Sequence, residues 1–338
     1  MSTDSSDRPL KPWATLKDVA RHVGVSESAA SVILNGSKSG TRVSATTRMS
    51  VLRAAEELGY RPNAVARSLQ TGRTDRIAVY SGRTVLDARN RFFAEVLGGL
   101  VEGAAEAGVN LVIHATGKTT DQLLDLVSSR SVDGIVIHCG ADDPIIRILQ
   151  EFKVPAVTIA DKVPGLPAVV VDDVAGGVLQ AHHLANCGHR HALLMGPHYP
   201  TSSGEARTAA FRERWLSMGL QVTQTSDASL GLLRTDEIDC LTSKKDRATC
   251  IVAWNDSVAE AACRTLDDLA VQIPKDVAII GFDGIEHHSR QKYELTTIHA
   301  PWEEVGSTAA RILKNLVDGK DIEPVTKLPV TFQRGKTT

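Results

Sequence analysis

Between residues 15 and 74 the chain sets short polar side chains at helical spacing beside scattered arginines, a mixture suited to holding a polyanion. Residues 15–36 read TLKDVARHVGVSESAASVILNG, two helical patterns on either side of Gly24. In the second pattern Ala30, Ile33 and Leu34 share one face, which leaves Glu27, Ser28, Ser31 and Val32 on the other. Ser26, Ser31 and Asn35 can donate hydrogen bonds to phosphate oxygens, which positions a protein on nucleic acid without reading its sequence. Glu27, Ser28 and Val32 are left to reach base edges: a carboxylate accepts from a cytosine amine, and a valine contacts a thymine methyl. Residues 60–74, YRPNAVARSLQTGRT, add Arg61, Arg67 and Arg73 around Leu69. An apolar side chain on a basic helix suits insertion between base steps of the minor groove, which bends the duplex. Packing of Leu69 on the following domain is its other use.

These side chains need a rigid frame, and the flanking residues supply one. Thr15 caps a first helix, with Asp18 in its first turn and a buried stripe of Leu16, Val19, Ala20 and Val23. Gly24 ends that helix because glycine tolerates positive φ. Ser26 caps the second helix, which runs to about Asn35. Ser44 caps a third, SATTRMSVLRAAEELG, with Val51, Leu52, Ala55 and Leu58 facing inward and Gly59 ending it. Short helices joined by a tight glycine turn form a helix-turn-helix, whose second helix enters the DNA major groove. A three-helix headpiece with no DNA role would show the same pattern. Charge favours DNA: residues 1–73 hold 11 Lys or Arg against 6 Asp or Glu, a balance of +5. The remainder holds 27 against 34, a balance of −7, so a small basic front sits on an acidic body.

From residue 76 onward β-rich apolar runs alternate with helical patterns. The runs include IAVY (77–80), LVIHA (111–115), GIVIH (134–138), AVTIA (156–160), VVV (169–171), ALLM (192–195), CIVAW (250–254), VAII (277–280) and TTIHA (296–300). Such alternation implies parallel sheets covered on both faces, and the length calls for two lobes. The predicted fold class is α + α/β: a helix-turn-helix headpiece and hinge helix, then a two-lobed core with parallel sheets. The expected divisions are a disordered arm at 1–14, the DNA-binding domain at 15–60, a hinge helix and linker at 61–74, and the core at 75–338.

Residues 15–74 resemble the headpiece and hinge of the LacI/GalR family of bacterial transcriptional regulators. The matching stretches are TLKDVARHVGVS, VILNG, RVSATTR and ELGYRPNAVARSLQTGRT. The rest of the chain resembles the same family, whose core is built like periplasmic sugar-binding proteins. VDDVAGG, LANCGHRHALLMGP, IVAWNDSVAEAACRTLDDLAVQIPKDVAIIGFDGIE and LTTIHAP carry that likeness. The resemblance implies paired hinge helices in the minor groove, with Leu69 as wedge and with Thr15 and Asn63 joining the DNA contacts. It also implies lobe crossovers near 172, 300 and 327 and a small-molecule effector in the cleft between the lobes. Phe92 and Phe93, Asp161, Arg207, Asn255 and Asp283 are the effector contacts carried over. Carboxylates with Asn and Arg suit a polyhydroxyl, carbohydrate-like ligand. The chain departs from the family pattern at Val32, where many members have arginine, and at Glu27, where a larger polar or aromatic residue is usual. Thr201 and Ser203 stand in a loop where some purine-binding members place an arginine, and Ala300 replaces a common glutamine.

The reading that follows is a sequence-specific repressor controlled by its effector, acting as a homodimer or dimer of dimers on a pseudo-palindromic double-stranded operator. A cytoplasmic solute-binding type of sensor without operator binding is the alternative, and it has no use for residues 15–74. No enzyme is expected, since no G-x-G-x-x-G, Walker loop or G-x-S-x-G is present. His182, His183, Cys187, His189 and His191 crowd together without metal-ligand spacing, so neither a metal nor another cofactor is expected. Asp172 and Asp173 read as turn and capping groups. Five cysteines without C-x-x-C spacing and an N-terminus without an apolar h-region point to a reducing cytoplasm, at the nucleoid, away from membranes.

Overall fold

A computed structural model describes residues 14–35, 43–83, 86, 90–113, 120–225, 232–285 and 292–338. The chain divides into two compact units, Met1–Asp75 and Arg76–Thr338. All but Ala14 of the expected N-terminal arm lies outside the described residues.

In the first unit α1 spans Leu16–Val23, α2 Glu27–Asn35, α3 Ala45–Glu57 and α4 Ala64–Thr71. A reciprocal capping box starts α1: the Asp18 amide donates to Thr15 Oγ1 at 3.3 Å, and the Thr15 amide donates to Asp18 Oδ2 at 2.9 Å. Gly24, at φ +74°, ends the helix and turns the chain toward α2. Val19, Ala20, Ala30, Ile33, Val51, Ala54 and Ala55 form the small core. Leu52 and Leu58, expected inward, are not part of it. Leu52 is 44% exposed, because 51, 54 and 55 share a helical face and 52 is rotated off it. Leu58 follows the last residue of α3 and is exposed there.

The second unit alternates strand and helix from its start. Its first lobe takes β1 (Arg76–Ser81), α5 (Arg91–Glu106), β2 (Asn110–Ile113), α6 (Thr120–Ser128), β3 (Gly134–His138), α7 (Pro144–Phe152), β4 (Ala156–Ile159) and β5 (Ala168–Val171). The second lobe takes α8 (Asp173–Asn186), β6 (His191–Met195), α9 (Ser202–Ser217), β7 (Gln221–Thr225), α10 (Thr235–Thr242), β8 (Cys250–Ala253), α11 (Asp256–Asp268) and β9 (Ala278–Ile280). Then β10 (Thr297–His299), α12 (Trp302–Val317), β11 (Val325–Leu328) and β12 (Thr331–Gln333) close the unit. The first sheet is parallel, in the order β11-β5-β4-β3-β1-β2, and the second is parallel in the order β7-β6-β8-β9.

The TTIHA run, expected in a parallel sheet, makes parallel bridges to the chain at and just past β9 (Ile280 to Thr296, Asp283 to His299), and on its other side β10 pairs antiparallel to β12, with Ile298 opposite Phe332. The antiparallel partner on that side follows from the path of the chain. Through β10 it leaves the second lobe for α12, which packs on α5 in the first. Through β12 it returns, and Thr337 then bonds to Ile279 beside the second sheet. Two passages in opposite directions pair antiparallel. Asp172 sits at the third passage, where its Oδ2 lies 2.8 Å from Lys327 Nζ. In the second lobe α8 and α9 approach so closely that a Cβ on Gly177 would lie 2.3 Å from the Arg207 carbonyl oxygen. Only glycine allows that contact, and it fixes the depth at which α9 lies.

Candidate nucleic-acid interface and ligand cleft

The outward face of α2 holds Glu27 and Ser28, both exposed, and Val32, half-buried. Ser26 starts the helix by accepting from the Ala29 amide at 3.2 Å, and its hydroxyl lies 3.0 Å from that of Ser28. Ser31 borders that face but is not open to solvent with it. It is only 7% exposed: although one turn past Glu27, it lies about 60° around the helix from Leu34, at the edge of the buried arc of Ala30, Ile33 and Leu34. Asn35 is the last residue of α2, and its side chain lies outside the described ones. Thr15 is committed to its capping box, and Asn63 Oδ1 accepts from the Ala66 amide at 3.5 Å at the start of α4. Arg61 is exposed, whereas Arg67 Nη2 donates to Asp75 Oδ2 at 3.2 Å. Leu69 is 84% exposed, so most of it is open to solvent. The nine residues of α2 include no lysine or arginine.

In the second unit Arg207 is the centre of a buried ionic cluster. It lies on α9 at 3% exposure. Its Nε donates to Asp173 Oδ1 at 2.7 Å, and its Nη1 donates to Asp283 Oδ1 at 3.2 Å and to the Trp254 carbonyl at 3.0 Å. The guanidinium lies 3.7 Å from the centre of the Phe282 ring. Burial works against the charge on Arg207, but Asp173 and Asp283 hold it protonated. Burial also pushes the Asp283 carboxyl up, against the pull of Arg207 and with the repulsion of Asp256. Asp173 is pushed up in the same way.

Asp161, at the end of β4, is also buried but strongly held. Its Oδ1 accepts from the Thr201 hydroxyl at 2.5 Å, the Ser203 amide at 3.0 Å and the Ser202 hydroxyl at 3.1 Å. Burial opposes its ionisation, but the Thr201 and Ser203 bonds, His138 and Arg83 outweigh it and hold the carboxyl below its usual range. Phe92 packs edge-on against Trp302 at 4.7 Å and tilts against His138 at 5.2 Å. Phe93, expected beside it in the cleft, is fully buried in the core of the first lobe, because neighbours on a helix point about 100° apart. Asn255 caps α11 through its Oδ1, which accepts from the Val258 amide at 2.9 Å. Thus Arg207 and Asp283 meet directly, Asp161 stands beside the start of the same helix, and Phe92 lies near Trp302.

Sequence assigned three residues of this region to other roles and missed Arg83. Asp173 reads as a cap, but Asp172 caps α8 through the Ala175 amide at 3.1 Å and leaves Asp173 to Arg207. The doubled aspartate at a crossover was the available signal. Arg83 follows β1 with no motif around it; its Nη2 donates to the Pro200 carbonyl at 2.6 Å and its guanidinium lies 4.7 Å from the Tyr199 ring centre. Thr201 and Ser203, placed in a loop by the sequence, stand at the cap and in the first turn of α9. The crowded histidines find hydroxyl, carbonyl and guanidinium partners: His183 meets Thr338, His189 meets Thr249, His191 meets Thr223 and Asp246, and His182 accepts from Arg214.

Comparison with known proteins gives two family matches. Residues 15–63 match the bacterial regulatory proteins of the lacI family, and residues 181–338 match the periplasmic binding protein-like domain. The HTH-type transcriptional repressor PurR of Photobacterium profundum is 31% identical over 320 residues, covering 92% of this chain and 94% of that protein. Among solved structures, a transcriptional regulator CelR–cellobiose complex superposes with a TM-score of 0.68 at 27% identity, covering 96% of this chain and 100% of that one. A lac repressor dimer bound to operator and the anti-inducer ONPF superposes with a TM-score of 0.74 at 25% identity, covering 96% and 98%.

Proposed function

Because the chain belongs to the lacI family of bacterial regulatory proteins, and is a DNA-binding transcriptional regulator, we propose that it is a repressor whose operator binding is set by a carbohydrate-like ligand held at Arg207. The observation that carries the ligand half is the Arg207–Asp173–Asp283 cluster. A buried guanidinium flanked by two carboxylates, with aromatic rings beside it, offers donors and acceptors in fixed directions to a polyhydroxyl molecule. A CelR relative was solved with cellobiose, which agrees with that chemistry.

On the DNA side, Glu27, Ser28 and Val32 face base edges. Thr15, Ser26, Asn35, Arg61, Asn63 and Arg67 hold the backbone, and Leu69 wedges into the minor groove. Ser31, being buried, is assigned to packing and at most an edge contact with phosphate. Phe92, Asp161, Asn255 and Asp283 surround the ligand site, and Phe93 supports it from the core. Two copies act together on a pseudo-palindrome, since one headpiece makes few contacts and two-fold symmetry doubles them; the lac repressor relative was solved as a dimer on operator. The expected place of action is the cytoplasm, at the nucleoid. Among the described residues no helix is long and apolar enough to cross a membrane.

The test is a gel shift on promoter fragments across a salt series, with and without neutral sugars, sugar phosphates and nucleobases. Specific, steeply salt-dependent binding that one ligand class alters, and that Leu69→Ala weakens, is expected. Binding that no sequence improves would refute the operator reading. A ligand response that survives Arg207→Ala would remove the ligand site.

A further inference from the structure

Helix α9 begins without a cap of its own. Thr201 stands at the N-cap position with extended backbone, yet its hydroxyl makes no bond to the amides of the helix it precedes. That hydroxyl donates instead to Asp161, and the Ser203 amide in the first turn donates to the same carboxylate oxygen. Asp161 belongs to the other lobe, just past β4 of the six-stranded sheet. We propose that Asp161 is a positioning residue that caps α9 from the opposite lobe, so that parting the lobes uncaps the helix carrying Arg207.

Three further contacts tie the same point together. The Lys162 amide donates to Ser202 Oγ at 2.8 Å, Arg83 donates to the Pro200 carbonyl, and the Arg83 guanidinium covers the Tyr199 ring. Every residue from Tyr199 to Ser203 is therefore held by a partner in the first lobe. A carboxylate at a helix N-terminus satisfies orphan amides and faces the positive end of the helix dipole. Here it is also 4% exposed, so its bonds are charge-assisted and sheltered from water. Thr201 and Ser203 are buried with it, and lobe separation would wet all three. Arg207 follows five residues after the first residue of α9, so fraying of the first turn reaches the turn that holds the guanidinium. Asp161, assigned above to the rim of the ligand site, already accepts three bonds at one oxygen. Its work is to report lobe closure to Arg207. The link to operator binding rests on the regulator reading; the capping contact does not.

Hydrogen exchange on the full chain tests this with Asp161→Ala and Asp161→Asn. In Asp161→Ala the Ser203 and Gly204 amides should exchange about tenfold faster, the usual effect of losing an N-cap. Asparagine caps nearly as well as aspartate, so Asp161→Asn should recover most of the protection. Amides of β3 and β4 should not change in either variant. Unchanged exchange at Ser203 and Gly204 in Asp161→Ala overturns the proposal. So does equal acceleration across β3 and β4, which would mean damage within the first lobe. An asparagine variant no better than alanine also overturns it, leaving a charge contact without a cap. Failure of the wild-type chain to bind any operator would defeat the regulator reading and leave the exchange result standing.

Discussion

Replacing Arg207 by alanine should destabilise the core more than any other single change at the cleft. The guanidinium is enclosed by Asp173 at 2.7 Å, Asp283 at 3.2 Å and the Trp254 carbonyl at 3.0 Å, and it lies over the Phe282 ring, 3.7 Å from its centre. Removing it leaves the Asp173 and Asp283 carboxyls, which burial already pushes toward protonation, without their shared cation, and it takes the donor from the Trp254 carbonyl. Breaking a buried ion pair from one side costs ~3–5 kcal/mol, largely the cost of the charge left behind. For a unit of this size each kcal/mol moves the melting point by roughly 2 °C, so a fall of about 6–10 °C is expected. The triple variant Arg207→Met, Asp173→Asn, Asp283→Asn removes the charges together and should recover most of that loss, because it leaves nothing ionised in the cluster. Calorimetry on the three proteins at neutral pH decides it. A loss below about 1 kcal/mol in the alanine variant, the range of an exposed pair, would mean that the cluster is hydrated and the reasoning wrong. A triple variant less stable than the single one would show that the charges hold the lobe together.

The remaining predictions concern other parts of the molecule. Val32→Arg should redirect base preference toward guanine at ~1–3 kcal/mol of discrimination, and Glu27→Ala should relax preference at one base pair; selection from randomised half-sites reads both, and an unaltered consensus would take α2 off the bases. Gly177→Ala should cost about 1–3 kcal/mol by forcing α8 from α9, read as a lowered melting point, with no change if the helices slide freely. The raised carboxyl of Asp283 makes the folded state hold a proton that the unfolded chain releases above its ordinary value of 3.8. Stability should therefore fall as pH rises from that value toward the raised one. Asp283→Asn should flatten the fall in denaturant unfolding between pH 5 and 8; an identical slope would mean that Asp283 is ionised throughout.

The helices of the headpiece were legible because their signals are local. Thr15, Gly24 and Ser44 each act within a few residues, and each does in the structure what its type suggests. Leu52 was misplaced because the apolar face of α3 includes Ala54, a residue whose small size hides which way the face points. The alternation of strand and helix in the core was equally plain, but the antiparallel pairing of β10 with β12 depends on the direction of two distant passages, which no local pattern encodes. The same limit explains the cleft. Arg207 and Asp283 stand in family-like stretches, whereas the partnership of Arg207 with Asp173 spans 34 residues and that of Asp161 with Thr201 spans 40. Phe92 and Phe93 were inseparable in sequence, and only the packing of α5 distinguishes the ring beside Trp302 from the ring in the core.

The recognition helix without a cation has a consequence for how such a protein searches a chromosome. A regulator is judged by the ratio of its affinity for one site to its affinity for millions of decoys. A helix rich in arginine raises both numbers, because phosphates are everywhere. With Glu27 at its leading end and no lysine or arginine behind it, α2 on the proposed reading would meet phosphate only through neutral donors such as Ser26 and Asn35, and the carboxylate would be repelled along most of the duplex. On that reading the carboxylate would find a partner where a cytosine amine is presented, so discrimination would come from disfavouring the wrong sequence. Residence on decoys would then be short, and the arginines flanking the helix would carry the protein along DNA while α2 inspects each step without adhering to it.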